Sequence, residues 1–142
     1  MSTIIVSCTK NLWSRWHDTE LGGSIRSVAR IGNKVEEEVF SENTRGLGEC
    51  YNEIIDAVPD DTSLIFAHDD VRIRDTKILE KLEEGFETFD ILGLAGTSKW
   101  TLNSPCLWHR SAPGHMSGVV RHARDGKEWD TTFGPIGKPY GS

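Results

Sequence analysis

An amphipathic helix set between two short apolar runs restricts the fold of this sequence more than any other feature. Residues 3–8 form a β-branched run that ends in the polar Ser7-Cys8-Thr9-Lys10-Asn11, and they read as a short buried strand. Leu47, Tyr51, Ile54, Ile55 and Val58 recur at helical spacing, which predicts a helix over 46–58. Asn43 or Thr44 is its expected N-cap, and Pro59-Asp60-Asp61 stops it. Residues 62–67 are then a second buried strand, with His68-Asp69-Asp70 directly after it. Strand, helix and strand at this spacing imply a parallel α/β sheet.

The flanking segments extend the pattern. Residues 12–23 read as irregular or as a short helix closed by Gly22-Gly23, and residues 24–31 as a second strand turning at Gly32-Asn33. Asp75 can cap a further helix whose inner face carries Ile78, Leu79, Leu82, Phe86 and Phe89, and residues 90–96 read as another apolar strand of the parallel sheet. Residues 100–114 are rich in Pro, Trp, Ser and His and read as a long loop. Residues 116–123 and 127–133 flank Arg124-Asp125-Gly126, whose Asp-Gly is a strong hairpin signal.

With 142 residues, the chain has room for one domain with a real core. Its 37% hydrophobic and 27% charged residues are an ordinary globular balance. A formal charge of −6 speaks against a nucleic-acid partner, which calls for a basic excess or stripe. Cys8, Cys50 and Cys106 are widely spaced and odd in number, so buried cytosolic thiols are expected rather than a disulfide framework or a zinc site. No apolar stretch is long enough to cross a bilayer, and the first residues do not resemble a signal peptide, which predicts a cytoplasmic protein.

In open α/β sheets, ligands bind outside the carboxyl ends of the strands. Residues 7–11, 43–46 and 68–70 would gather there. In His68-Asp69-Asp70, a Mg²⁺ or Mn²⁺ would find hard oxygen ligands, and an imidazole tips the preference modestly towards Mn²⁺. Taken alone, the tripeptide is more simply a solvated loop. Asn43-Thr44-Arg45-Gly46-Leu47-Gly48 could present backbone N–H groups and a cation to an anion, but it is neither a Walker loop nor a dinucleotide fingerprint. Trp100, Trp108 and Trp129 could stack on a sugar face, although packing is the commoner role of tryptophan. His109, His115 and His122 lack a compact ligand spacing, and no nucleophile elbow is present.

Taken in order, Thr3-Ile4-Ile5-Val6-Ser7-Cys8-Thr9, Asn43-Thr44-Arg45-Gly46-Leu47-Gly48-Glu49-Cys50-Tyr51-Asn52 and Leu64-Ile65-Phe66-Ala67-His68-Asp69-Asp70-Val71 resemble the family-2-like glycosyltransferases of GT-A fold. The likeness is to the branch in which a His-x-Asp motif replaces Asp-x-Asp. Leu92-Gly93-Leu94-Ala95-Gly96 and Phe133-Gly134-Pro135 also look like that branch. The resemblance implies a Rossmann-like, nucleotide-sugar-binding half: a mostly parallel sheet flanked by helices, with a C-terminal antiparallel hairpin. Residues 1–142 would be one domain, with 1–98 as its nucleotide-binding core and 99–142 as loop and ribbon. It further implies a nucleoside-diphosphate sugar over the strand ends, with Ser7 and Thr9 near the nucleoside. Asn43, Arg45 and Asn52 would shape the donor pocket, beside His68 and Asp69. Asp70, with His68, would hold Mn²⁺ or Mg²⁺.

Transfer to an acceptor hydroxyl would be metal-assisted, and inverting members also need a carboxylate base. In the family that base follows the Gly-Pro segment, where this sequence stops, and nothing marks Glu128 or Asp130 for the role. A non-catalytic binding or assembly module on the same fold is therefore the alternative, with homo-oligomerisation through an exposed sheet edge as a possible partner mode. A nucleotidyltransferase would need a Gly-rich, Lys-containing phosphate loop, which the sequence lacks.

Overall fold

A computed structural model describes residues 2–29, 35–99 and 114–133. The chain divides into two compact units, 1–84 and 85–142.

The first unit is built around β1 (Ser2–Cys8). A 3₁₀ helix (Trp13–Asp18), α1 (Glu20–Ala29), β2 (Val35–Phe40), α2 (Leu47–Ala57) and β3 (Thr62–Phe66) follow. The sheet is parallel in the order β2-β1-β3, so β1 is central. In its register, Ile5 lies beside Glu37 on one side and Ile65 on the other. Thr3, Ile5 and Ser7 therefore share one face with Val35, Glu37, Val39 and Ile65, because side chains alternate along a strand.

The 3₁₀ helix and α1 cover that face. Trp16, Leu21 and Ile25 form a closed cluster with Ile5, against which Val35, Val39, Ile65, Ala67 and Ile73 pack. The opposite face takes α2, whose Tyr51 ring lies 4.5 Å from the Phe66 ring. Helices on both faces agree with the expected parallel α/β core.

Two expectations fail here. Residues 24–31 are not the second strand, because Glu20–Ala29 is helical. Leu21, Ile25 and Val28 are all buried, and their spacing of four and three residues is that of a helix. Gly22-Gly23 does not close this segment but lies inside it. A Cβ at Gly22 would fall on the Trp16 carbonyl oxygen and within 3.0 Å of the Trp16 indole, so the glycine permits the close approach. The actual second strand is Val35-Glu36-Glu37-Glu38-Val39-Phe40, which its charge disguises. Glu36 and Glu38 are exposed, while the inward Glu37 accepts a hydrogen bond from the buried Trp16 Nε1–H. The expected turn at Gly32-Asn33 lies outside the described residues.

α3 (Ile78–Phe86) forms as expected. Asp75 holds its start by accepting from the Lys77 N–H at 2.9 Å and pairing with Lys81 at 2.5 Å. In the second unit, β4 (Ala95–Thr97), β5 (Met116–Arg124) and β6 (Lys127–Thr132) make an antiparallel sheet in that order. The expectation that 90–96 adds a strand to the parallel sheet is thus corrected. Only its last two residues enter a strand, that strand is antiparallel to β5, and Ile91 and Leu94 are 89% and 82% exposed. Gly118, with φ +118, lets β5 approach so closely that a Cβ there would meet Ala95 at 2.7 Å. The hairpin is as expected: Arg124 pairs with Lys127, and Asp125 and Gly126 both have positive φ, as a two-residue type I′ turn requires. Of the expected loop at 100–114, residues 100–113 lie outside the described residues, as does the Gly134-Pro135 segment. Among the described residues, no helix is long and apolar enough to cross a membrane.

Gly22 and Gly48 should respond oppositely to alanine. Gly22→Ala gains helix propensity but overlaps the Trp16 backbone, for a net loss of about 1–3 kcal/mol. At Gly48, nothing lies within 4 Å of an added Cβ, so Gly48→Ala should gain about 0.5–1 kcal/mol. Urea denaturation of the two variants measures both signs.

Candidate functional site

In a doubly wound sheet of order 2-1-3, the crevice opens between the carboxyl ends of the first and third strands. Thr9 follows β1, and His68-Asp69-Asp70 follows β3 by one residue. The two exits are joined directly: Thr9 Oγ1 donates to Asp69 Oδ2 at 2.6 Å. The same hydroxyl accepts from the backbone N–H and from Nδ2 of Asn11, each at 3.1 Å. Thr9 is almost fully buried, at 3% exposure, and Asp69 is half-buried.

Backbone bonds hold these loops against neighbouring elements. The Thr9 N–H donates to the Phe40 carbonyl at 3.0 Å, and the Thr9 carbonyl accepts from Asn43 N–H at 2.9 Å. The Asp69 carbonyl accepts from Leu21 N–H at 3.1 Å, in the first turn of α1. That bond ties the Asp69 backbone to the start of the ten-residue α1.

His68 to Val71 is a tight turn, in which Val71 N–H bonds the His68 carbonyl at 3.2 Å. His68 and Asp70 are exposed on it, whereas Asp69 turns inward to Thr9. Among the described residues, no three His, Cys, Asp or Glu side chains are grouped to hold a metal ion.

The loop before α2 is organised differently from the expectation. Asn43 does not cap the helix, because Gly46 is the N-cap and no side chain bonds it. Instead Asn43 Oδ1 accepts from Arg45 N–H at 3.0 Å, and Nδ2 donates to the Arg45 carbonyl at 3.0 Å, closing the turn on itself. Arg45 donates to Glu53 at 2.6 Å and to Glu49 at 2.8 Å, and its guanidinium lies 5.7 Å from the centre of the Phe40 ring. Those two carboxylates stabilise its charge, so its donors are directed along α2. Asn52 is exposed on the second turn of α2, away from the helix start.

Ser7, in β1 two residues before Thr9, is completely buried. Its Oγ has no hydrogen-bond partner, unlike every other buried side-chain polar atom among the described residues. A shallow polar cleft of about 130 Å³, lined by Asn11, Arg15, Asp18 and Thr19, continues from the Thr9 loop. Asn11 is the residue that sequence reasoning passed over within the 7–11 segment. An amide two residues after the threonine that follows the strand is its only signal.

Of the aromatic and imidazole candidates, Trp129 stacks on His122 with ring centres 5.1 Å apart, and His122 Nε2 lies 3.0 Å from Thr131 Oγ1. These are hairpin packing contacts. The His115 carbonyl accepts from Ser98 N–H at 3.0 Å, which ties β4 to the start of β5. Trp100, Trp108 and His109 lie outside the described residues.

Two substitutions test this geometry. Thr9→Val removes the hydroxyl that joins Asp69 to Asn11, at a cost of about 1–2 kcal/mol. Ser7→Ala removes a buried hydroxyl without a partner and should stabilise the protein by roughly 1 kcal/mol. Thermal or urea unfolding of each variant gives the sign directly.

Compared with protein-family models, with curated proteins and with solved structures, the chain matches none.

Proposed function

We propose that this chain binds a nucleoside-diphosphate sugar together with a divalent ion, in the crevice outside β1 and β3. On this reading the parallel unit is the Rossmann-like half of a GT-A fold, as the ordered motifs of the sequence suggest. The observation that carries the proposal is the Thr9–Asp69 bond. It couples the two strand exits at the point where such sheets take their ligands, and it leaves Asp70 and His68 exposed on the same turn.

The donor set suits a hard ion brought in with its substrate. Mg²⁺ and Mn²⁺ commonly take one or two protein carboxylates, and substrate phosphates and water complete the shell. Asp70, with His68 beside it, would hold such an ion, and this needs no preformed group of three ligands. The ion would supply positive charge to a departing diphosphate. Asp69, committed to Thr9, acts as a positioning residue that fixes the turn carrying Asp70. Arg45 is a weaker candidate than the sequence implied, because a donor phosphate would have to compete with Glu49 and Glu53. Asn43 serves the same site by shaping its loop.

If an acceptor site is present, the activity is transfer of the sugar to a hydroxyl group. The second reading is a non-catalytic binding or assembly module on the same fold, and the hairpin carboxylates bear on it. Asp130 places both oxygens on Arg121, at 2.7 and 2.8 Å, and Glu128 is also engaged. Each carboxylate thus already has a partner within its own hairpin, and nothing there marks either as a base.

Calorimetric titration of UDP- and GDP-sugars with and without Mn²⁺ tests the proposal. The wild type should bind at least one donor more tightly with the ion, and Asp70→Ala should lose about tenfold or more of that ion-dependent affinity. Absence of ion-dependent binding in both proteins contradicts it. Donor binding without transfer to any of a panel of hydroxyl acceptors selects the second reading.

A further inference from the structure

Cys8 and Cys50 stand side by side where β1 meets α2. Cys8 is the last residue of β1 and alternates with Ser7, so its side chain is on the face that α2 covers. Cys50 is in the first turn of α2 and is completely buried. Its Sγ lies 3.5 Å from Asn43 Oδ1, and the backbone of Asn43 is bonded to the carbonyl of Thr9, the residue next to Cys8. The Cys50 side chain is a hydrogen-bond neighbour of the Cys8 thiol, and the Tyr51 hydroxyl lies near both. Both are free thiols in this structure.

From this juxtaposition we propose that Cys8 and Cys50 form a reversible intramolecular disulfide, which staples the end of β1 to the first turn of α2. The half-exposed Cys8 is the thiol that a small oxidant reaches, and the buried Cys50 is the one that resolves it. With hydrogen peroxide, the Cys8 thiolate attacks one oxygen and the O–O bond breaks. Hydroxide leaves and takes up a proton as water, and Cys8 becomes a sulfenic acid. The Cys50 sulfur then attacks the Cys8 sulfur, the S–S bond forms and a second water departs. Two thiols and one peroxide thus give one disulfide and two waters.

The surroundings set the conditions under which the pair closes. Burial and the neighbouring Cys50 thiol push Cys8 up to about 11, and Arg45 only partly offsets them. Tyr51 and Cys50 on α2, with Arg45 just before it, are the titratable groups around Cys8. The thiolate is scarce at neutral pH, so the step should accelerate about tenfold per pH unit between pH 7 and pH 10. This proposal is independent of nucleotide binding.

The test treats the full chain with hydrogen peroxide at pH 7 and pH 10, blocks the remaining thiols by alkylation and maps peptides without reduction. The expected result is a Cys8–Cys50 linked peptide that forms faster at pH 10, is reversed by dithiothreitol and persists in Cys106→Ser. It should vanish in Cys8→Ser, which alters the half-exposed partner and spares the buried one. The linked protein should melt higher, by roughly 10 °C, because the bridge closes a long loop. The proposal is overturned if Cys8 is oxidised to the sulfinic acid with Cys50 still free. Cross-links only through Cys106 or between chains overturn it equally, as does the absence of any linked peptide at pH 10.

Discussion

β1 is hydrogen-bonded along both of its edges, and the rest of the first unit follows from that constraint. Its pairing with both neighbours is parallel, and the strands of parallel sheets are covered on both faces by apolar groups. One face receives Trp16, Leu21 and Ile25, and the other receives α2 through Cys50 and Tyr51. Complete burial of side chains such as Trp16, Leu21 and Ile25 stabilises by about 1.5–3 kcal/mol each. Trp16 brings a polar N–H into that interior, and Glu37 on β2 accepts from it. An acidic residue on the inner face of a strand is thereby matched with a donor instead of being stranded.

The site inherits its rigidity from the same strand. Thr9 is held by backbone bonds to Phe40 and Asn43, and its hydroxyl reaches Asp69 and Asn11. Asp69 is in turn bonded through its carbonyl to the start of α1. Three elements therefore fix one inward carboxylate, and the residues on either side of it in the turn face solvent. This division of labour suits binding: one acid sets the geometry and its neighbour is available to a ligand. A fully buried Ser7 without a partner, two residues away in β1, is the kind of unfavourable feature that binding sites retain.

Much of this was legible in the sequence, and the failures have physical causes. β1, α2, β3, α3 and the hairpin were readable because apolar spacing, the Asp-Gly turn and the Asp75 cap all pointed the same way. α1 was hidden by Gly22-Gly23, since a glycine kept for contact with Trp16 looks like a helix stop. β2 was hidden by three consecutive glutamates, two facing outward and one matched by an indole donor far away in sequence. Residues 90–96 read as a buried parallel strand because apolar composition cannot distinguish that from an exposed approach to an antiparallel pair. At the site, the sequence placed Thr9, Asp69 and Asp70 at the strand ends, but not the inward turn of Asp69. The resemblance put Asn43 and Arg45 on the segment that shapes the donor pocket, and their partners within the chain are in their own loop and helix.

The central claim is that the exits of β1 and β3 form one ligand-binding crevice. Amide chemical-shift mapping during titration with a nucleoside-diphosphate sugar and Mg²⁺ tests it most directly. The account predicts the largest shifts at Thr9, Asn11, Asp69 and Asp70, with little change at the β5–β6 turn around Asp125. Shifts confined to the hairpin, or none at saturating ligand and Mg²⁺, would contradict it.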